Sequence, residues 1–351
     1  MAKQKTCAAK ASVGGQALIE GVMMNGPQGS ALAVRHTDGR IITEPVEFRH
    51  VKDKVKLLGV PFIRGVVNYI ETMIFGYKCL MRSADLSGQM EADEDPEKMS
   101  KMDRWLNDHM GPKFMGAVTA VLSVIVTAIS VFLFVYLPTL LVDLADEHLL
   151  ASRLADFHPL LEGILRAIII VVYMFLVSRL KDIHRVFMYH GAEHKTIFCY
   201  EKGLELTVEN VRSCKRFHPR CGTSFIFIII IINIIVSSIV ALIFPILQDH
   251  SMRLIWMVVK IFGILPVVTA ISYEMLKYAG RHTNIVTKIF SAPGLWMQRI
   301  TTAEPTDDMI EVGIASLKGA LYGVEAEPEK PEAPEPEEQP EAEEKPAPEN
   351  E

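Results

Sequence analysis

The chain has 351 residues, half of them apolar, and its mean hydropathy is positive. The formal net charge of -6 comes from residues 325–351, which carry twelve Glu and only two Lys, so the remaining body is weakly basic. Such length and apolar content exclude a small soluble domain. The sequence also contains no motif for direct readout of nucleic-acid bases, which excludes a sequence-specific nucleic-acid-binding protein.

Residues 1–56 are predicted to form a small glycine-rich, β-rich cap. Two short strands at 30–36 and 40–45 flank an Asp38-Gly39 turn, which is a strong short-range signal for a hairpin. A single acid, Glu20, stands among apolar residues and is costly to bury without a partner. We therefore expect Glu20 either to fold back toward the central basic loop or to lie exposed on a hairpin edge. Residues 1–30 contain no apolar core of the length typical of a signal peptide.

Residues 57–87 are predicted to form an amphipathic helix. Apolar side chains recur at helical spacing from Ile63 to Met81, and charged or polar side chains occupy the opposite face. This pattern indicates a helix that lies in the cytoplasmic interface of a membrane or packs against a helical bundle. Residues 88–112 are strongly charged and are interpreted as a linker.

Residues 113–300 are predicted to be a domain of four transmembrane helices. Twenty-nine consecutive uncharged residues lie between Lys113 and Asp143, and twenty-eight lie between Arg220 and Asp249. Each run exceeds the roughly 20 residues that a helix needs to cross a bilayer. Two weaker segments carry charges mainly near their ends, which a membrane helix tolerates. The predicted spans are 115–142, 160–178, 222–247 and 254–276.

The charges of the loops predict the orientation of these spans. The segment from Asp143 to Arg166 holds five acids and two bases, whereas the segment from Arg179 to Arg220 holds nine bases and five acids. The sequence therefore predicts a multi-pass plasma-membrane protein. The positive-inside rule places its central loop 179–221 and both of its termini in the cytoplasm. A short cytoplasmic helix is expected at 301–324. The Pro/Glu-rich tail 325–351 is expected to be disordered.

The central loop carries the pattern His-x-x-Glu-His. On a helix, His190 and His194 are four residues apart and share one face, at a distance that allows both to bind one metal ion. Glu193 is then a candidate general base for a water molecule on that metal. The alternative is a set of polar side chains that satisfy one another by hydrogen bonding.

Further zinc-ligand types flank the same loop, namely Glu201, His218 and Cys221. Zinc suits this mixture best, although iron or manganese also accepts imidazole with carboxylate. Cys221 could instead act as a thiol nucleophile with a histidine, because it begins a helix. An odd total of five cysteines argues against a disulfide framework. Other candidate site residues are Glu20, Lys195, Arg220 and Glu274. Glu274 and His282 are expected to lie at the same membrane depth as the motif.

Several of these strings resemble the YqhQ-like family of bacterial membrane proteins (domain of unknown function 1385). The similar stretches span roughly residues 12–300 and include residues 14–24, 61–65, 189–195, 205–210 and 218–225. The resemblance implies a metal-dependent enzyme of the bacterial inner membrane, without implying a substrate.

Two functions of different classes are compatible with these residues. The first is a metal-dependent membrane hydrolase with a cytoplasmic site, acting on a membrane-borne substrate. The second is an assembly factor that contacts the membrane-insertion machinery and holds a closed structural metal site or polar network. A transporter that uses Lys260 and Glu274 is disfavoured, because inverted repeats and broken helices are not evident in the sequence.

Overall fold

The computed structural model describes residues 13–47, 60, 63–88, 112–149, 157–219, 221–245, 250–279 and 284–324. The chain is mainly helical, with one small antiparallel sheet near its N-terminus. Most of the predicted charged linker, residues 89–111, and the predicted acidic tail 325–351 lie outside the described residues.

The sheet is a four-stranded meander in the order β1-β2-β3-β4, built from Gly14–Leu18, Gly21–Gly26, Gly29–Arg35 and Ile41–Val46. The predicted β3–β4 hairpin is confirmed. The β1–β2 hairpin was not expected, because glycine has a low strand propensity and its density suggested only loops. At Gly26 the reason for a glycine is close packing, since a Cβ there would lie 2.6 Å from the Ala320 carbonyl oxygen.

The remaining regular elements of the described chain are helical. The helices are α1 (Ile63–Leu86), α2 (Pro112–Val131), α3 (Leu137–Leu149), α4 (His158–Val177), α5 (Lys181–Lys202), α6 (Val208–Arg212), α7 (Gly222–Ile243), α8 (Arg253–Val258), α9 (Leu265–Ala279), α10 (Ile285–Thr301) and α11 (Asp307–Tyr322). Two π-helical turns, Phe132–Tyr136 and Val259–Ile264, join α2 to α3 and α8 to α9. A 3₁₀ turn, His250–Met252, precedes α8.

Among the described residues, four helical stretches are long and apolar enough to cross a membrane, as the sequence predicted. They are Ala120–Glu147, His158–Val177, Phe225–Ile243 and Val259–Tyr278. Within the bundle, α4 and α9 both pack against α7, and α3 packs against α4. The four apolar stretches therefore fold as one group of neighbouring helices.

An ionic network lies within this bundle, at the two π-helical turns. Glu162 of α4 accepts hydrogen bonds from Lys260 Nζ at 2.9 and 3.0 Å, from Arg166 Nη2 at 2.7 Å and from Thr139 Oγ1 at 2.8 Å. The Phe134 carbonyl of the first π-helical turn accepts from Arg166 Nε at 2.9 Å. Because each charged group has a partner, the bundle can bury them at tolerable cost.

Helix α1 matches the amphipathic helix predicted for 57–87, although its described part begins at Ile63. It joins the bundle to the sheet. Arg64 forms two hydrogen bonds of 2.7 Å with Glu274 of α9, and Cys79 packs beneath the sheet. The outer face of α1 leaves large apolar side chains exposed, among them Ile70, Ile74 and Tyr77.

The sheet lies between two helical layers. One face, which includes Val22 and Met24, packs against α5 and α11, and the other face, which includes Met23 and Leu32, packs against α1. This alternation is the period of two expected of a strand. The arrangement presses α5 against β1 and so positions the His-x-x-Glu-His motif.

The central segment 179–221, predicted as a loop, is mainly helical. Helix α5 extends over 22 residues and ends at Gly203, which adopts a left-handed conformation with φ 76°. Its buried face continues the helical period through Tyr189, Ala192 and Thr196, so burial against the sheet and α11 favours a helix. The motif therefore sits on a rigid, buried element.

Candidate metal centre

Helix α5 presents the two motif histidines side by side. His190 and His194 have ring centroids 4.4 Å apart, as their spacing of four residues on one helix face predicts. Both side chains are buried. The local helical geometry thus places two imidazole rings next to each other.

The third group comes from the start of α7. His190 Nε2 lies 3.2 Å from Cys221 Sγ, and one ligand atom from each of His190, His194 and Cys221 lies within 4.8 Å of the other two. Zinc binds imidazole nitrogen at about 2.1 Å and thiolate sulfur at about 2.3 Å, so ligand atoms of one tetrahedral ion are about 3.5 Å apart. Small side-chain rotations would bring this group to that geometry.

The hydrogen bonds of the rings leave one nitrogen of each histidine for a ligand. His190 Nδ1 lies 2.8 Å from the Thr301 carbonyl, and His194 Nδ1 is hydrogen-bonded to the Arg216 carbonyl. A carbonyl only accepts, so each Nδ1 carries the proton and each Nε2 presents its lone pair, that of His190 toward Cys221 Sγ. His194 Nε2 is fully buried and has no hydrogen-bond partner among the described residues. Such backbone-oriented imidazoles are typical of metal ligands.

Glu193 lies beside the three groups and is also buried. Burial raises the pKa of its carboxyl to about 8; nearby His190 opposes this rise and Cys221 adds to it. A carboxyl in this state holds its proton at neutral pH, and a divalent cation nearby would favour the carboxylate. Its carboxyl carbon would lie only 3.1 Å from a Cβ at Gly15, so strand β1 packs directly onto it.

His218 and Glu201 form a neighbouring pair outside this three-residue group. The His218 ring lies 5.7 Å from the His194 ring, and its Nε2 lies 3.5 Å from Glu201 Oε2. Gln298 holds the His218 backbone by accepting from its N–H and donating to its carbonyl. Burial lowers the pKa of His218 to about 4, so its imidazole is neutral at pH 7.

The remaining candidates lie elsewhere. Lys195 Nζ donates to the Arg212 carbonyl at 3.0 Å and pairs with Glu304 at 2.7 Å. Glu274 pairs with Arg64, as described above, and is not brought to the histidines. Arg220 and His282 are outside the described residues.

Glu20 is buried rather than exposed on a hairpin edge. It occupies the turn between β1 and β2 with a positive φ of 50°, and its carboxylate pairs with Arg185 of α5. The Tyr189 hydroxyl donates to the same carboxylate at 3.1 Å. Glu20 thus anchors the sheet to the turn of α5 that precedes His190.

Replacing Glu20 by Gln is expected to lower the free energy of unfolding by about 1–2 kcal/mol, because a neutral amide pairs less strongly with Arg185. The matched control is Glu44→Gln, which breaks an exposed pair with Arg82 and should cost less than about 0.5 kcal/mol. Thermal midpoints in detergent compare the two. Equal midpoints for both variants would contradict an anchoring role, and a fall in bound metal for Glu20→Gln would place it in the metal centre.

Two groups that orient the cluster were missed from the sequence. Thr301 and Gln298 lie on α10, about 110 residues after His190, and carry no recognisable motif. The only sequence signal was a polar Gln298 within an apolar stretch, and it is fully buried. Their role depends on the packing of α10 against α7.

Gly191, between the two ligand positions, is required by close packing. A Cβ at this residue would lie 2.0 Å from the Ala303 carbonyl oxygen, and Ala303 N–H donates to the Phe187 carbonyl at 2.8 Å. Backbone on both sides prevents an easy shift, so Gly191→Ala should destabilise the protein by at least about 2–3 kcal/mol. The control is Gly222→Ala, where a Cβ has no neighbour within 4 Å. A thermal midpoint of Gly191→Ala equal to that of the control would refute this packing argument.

The fold and the cluster together define a mainly helical protein with four helices of membrane-spanning length and a buried His/His/Cys group beside a carboxyl group. The family model described as "Protein of unknown function (DUF1385)" matches residues 60–322, and the chain therefore belongs to the DUF1385 family. It is 35% identical over 324 residues to the "Uncharacterized protein YqhQ" of Bacillus subtilis (strain 168), which covers 92% of this chain and 95% of that protein. No solved structure gives a significant match. The family membership expected from the sequence is confirmed, and metal dependence stays a prediction.

Proposed function

We propose that this protein is a zinc-dependent hydrolase of the bacterial plasma membrane, with its site on the cytoplasmic side. The observation that carries the proposal is the convergence of ligand atoms from His190, His194 and Cys221, with both Nδ1 protons directed to backbone carbonyls. A buried, partnerless imidazole nitrogen is costly unless something binds it. A metal ion would satisfy this nitrogen and both of its neighbours.

The side chains have distinct roles in this proposal. His190, His194 and Cys221 would hold the ion, and three protein ligands leave one position for substrate or water. A bound zinc ion would supply Lewis-acid activation of that water. Glu193 would accept the proton of the attacking water and return it to the leaving group, and the burial of this carboxyl keeps competing solvent away.

The membrane setting supports a substrate that is itself membrane-borne. Cys221 immediately precedes α7, whose apolar stretch begins at Phe225, and α5 follows the apolar helix α4 after three residues. The basic central segment favours a cytoplasmic location for the cluster, with both termini on the same side. A substrate segment in or near the bilayer surface would reach the cluster without leaving the membrane.

An assembly or insertion factor with a closed metal site is the second candidate. It is favoured by the depth of the cluster, because His194 and Cys221 are 1% and 7% exposed, and structural zinc sites are typically sealed from solvent. In that case His218 or Glu193 would supply a fourth protein ligand. The ligand count separates the two functions.

The test is a cobalt-substituted, detergent-purified full chain titrated with acetohydroxamate, a small metal chelator. A hydrolase centre with an open position should change its visible d–d spectrum on addition of the chelator. Glu193→Gln should keep the metal and this response, because Glu193 acts on water and not on the ion. A spectrum that does not respond, or the loss of metal in Glu193→Gln, would instead favour a closed structural site.

A further inference from the structure

We propose that the outer edge of β1 binds an extended polypeptide, which adds a strand to the sheet and passes its backbone beside Glu193. This rests on the hydrolase function proposed above and names its substrate class: a peptide bond in an extended segment. Strand addition to an exposed sheet edge is a general mode of peptide recognition.

The first support is the hydrogen bonding of β1. Among the described strands it pairs only with β2, and a two-residue turn, Ile19-Glu20, joins Leu18 to Gly21. Because this closing pair faces β2 and the pattern alternates, Gly15 and Ala17 direct their backbone groups to the outer edge. Within the described part of the chain, no other element hydrogen-bonds those groups.

The second support is the contrast between the two sheet edges. The β4 edge contains Glu44 and Pro45, and Arg82 bonds to Glu44, which are features that protect an edge from pairing. Strand β1 has no charged residue and no proline, and Gly14 and Gly15 are exposed without side chains. The edge nearest the cluster is therefore the unprotected one.

The third support is the position of β1 relative to the metal ligands. Successive residues of α5 are rotated by about 100° around its axis. Tyr189 and Ala192 face the sheet core, His190 and His194 face away from it, and Glu193 lies between these directions. Ala192 and Thr196 also lie against Gly313 of α11, which closes the same core. Because a Cβ at Gly15 would lie 3.1 Å from the Glu193 carboxyl carbon, β1 lies directly beside Glu193, at the boundary of the cluster.

The reaction follows from this placement. A peptide paired with β1 presents successive carbonyl carbons along the edge. The oxygen of water bonds to one carbonyl carbon, its proton passes to Glu193, and the carbon–nitrogen bond then breaks as that proton goes to the departing amine. The products are one carboxylate and one amine, and the reaction needs no co-reactant beyond water.

The test uses two probes on the metal-loaded full chain in detergent: acetohydroxamate and N-acetyl-tetra-alanine hydroxamate. Both bind a metal through the same group, but only the second has a backbone that can pair with β1. We expect the peptide probe to bind at least about tenfold tighter, since two or more backbone hydrogen bonds are added. Methylation of its backbone nitrogens should abolish the gain. Hydrogen exchange at Gly15 and Ala17 should slow with the peptide probe and not with acetohydroxamate.

The outcomes distinguish failure of the peptide-binding proposal from failure of the hydrolase proposal on which it rests. If acetohydroxamate does not bind, the proposal of a hydrolase centre is overturned. If acetohydroxamate binds but the peptide adds nothing, or the methylated peptide binds equally well, the β1 edge is not a peptide site. A gain seen only where the protein self-associates would assign the edge to a second copy and also overturn the proposal.

Discussion

Replacing His194 by alanine is expected to reduce metal affinity by at least about 100-fold, and Cys221→Ser should act in the same direction. Even residues that only orient metal ligands contribute 10- to 100-fold to affinity, so loss of a ligand should exceed that range. The reason is specific to this structure, because His194 Nε2 is buried, partnerless and already oriented by the Arg216 carbonyl. Elemental analysis and competition with a chromogenic chelator measure the change.

His184→Ala is the matched control for this prediction. His184 lies on the same helix, is exposed, and is outside the three-residue cluster. Its replacement should leave metal content unchanged. Full metal occupancy in His194→Ala would show that the cluster is a self-satisfied polar network, and the hydrolase proposal would lose its main support.

Replacing Glu162 by leucine is expected to lower the free energy of unfolding by about 3–5 kcal/mol. The carboxylate of Glu162 is 8% exposed and is the shared partner of Lys260 and Arg166 among apolar helices. Removing it leaves two half-buried cations without their counter-charge, which costs more than the lost hydrogen bonds alone. The thermal midpoint in detergent should fall by roughly 10 °C for a chain of this size.

A double variant, Glu162→Leu with Lys260→Leu, separates this cause from simple loss of packing. Removing the charges of both Glu162 and Lys260 should recover much of the stability. Arg166 is then the one charged side chain left in the network, and it still donates a hydrogen bond to the Phe134 carbonyl. The exposed Glu147, replaced by Gln, is the control for removing an acid from the apolar helices. If Glu162→Leu had the same thermal midpoint as this control, the ionic network would not be what holds the helices together.

The helices of membrane-spanning length could be predicted because their signal is local. An uncharged run such as residues 114–142 must be helical in any apolar setting, since only a helix satisfies its backbone within one segment. The β1–β2 hairpin could not be predicted in the same way. Its glycines have low strand propensity, and Glu20 rather than glycine takes the left-handed turn position, so tertiary packing against α5 decided the outcome.

The candidate site likewise contains some residues that a local pattern predicts and others that only long-range contacts bring together. His190, Glu193 and His194 form a recognisable group because one helical turn brings them together. The sequence could not show that Glu274 pairs with Arg64 of α1, because the two residues are 210 positions apart in the chain. The roles of Gln298 and Thr301 could not be predicted from the sequence, because their contacts join residues far apart in the chain.

The sequence by itself determined the apolar helices, the family and the motif on α5, because hydrophobic runs and helical periods act over neighbouring residues. Only the tertiary structure decided that Cys221 joins His190 and His194 while His218 pairs with Glu201. It also decided that β1 packs against Glu193. These placements depend on how α5 is held between the sheet, α10 and α11, and such long-range contacts are stabilised by burial of surfaces that no local pattern specifies.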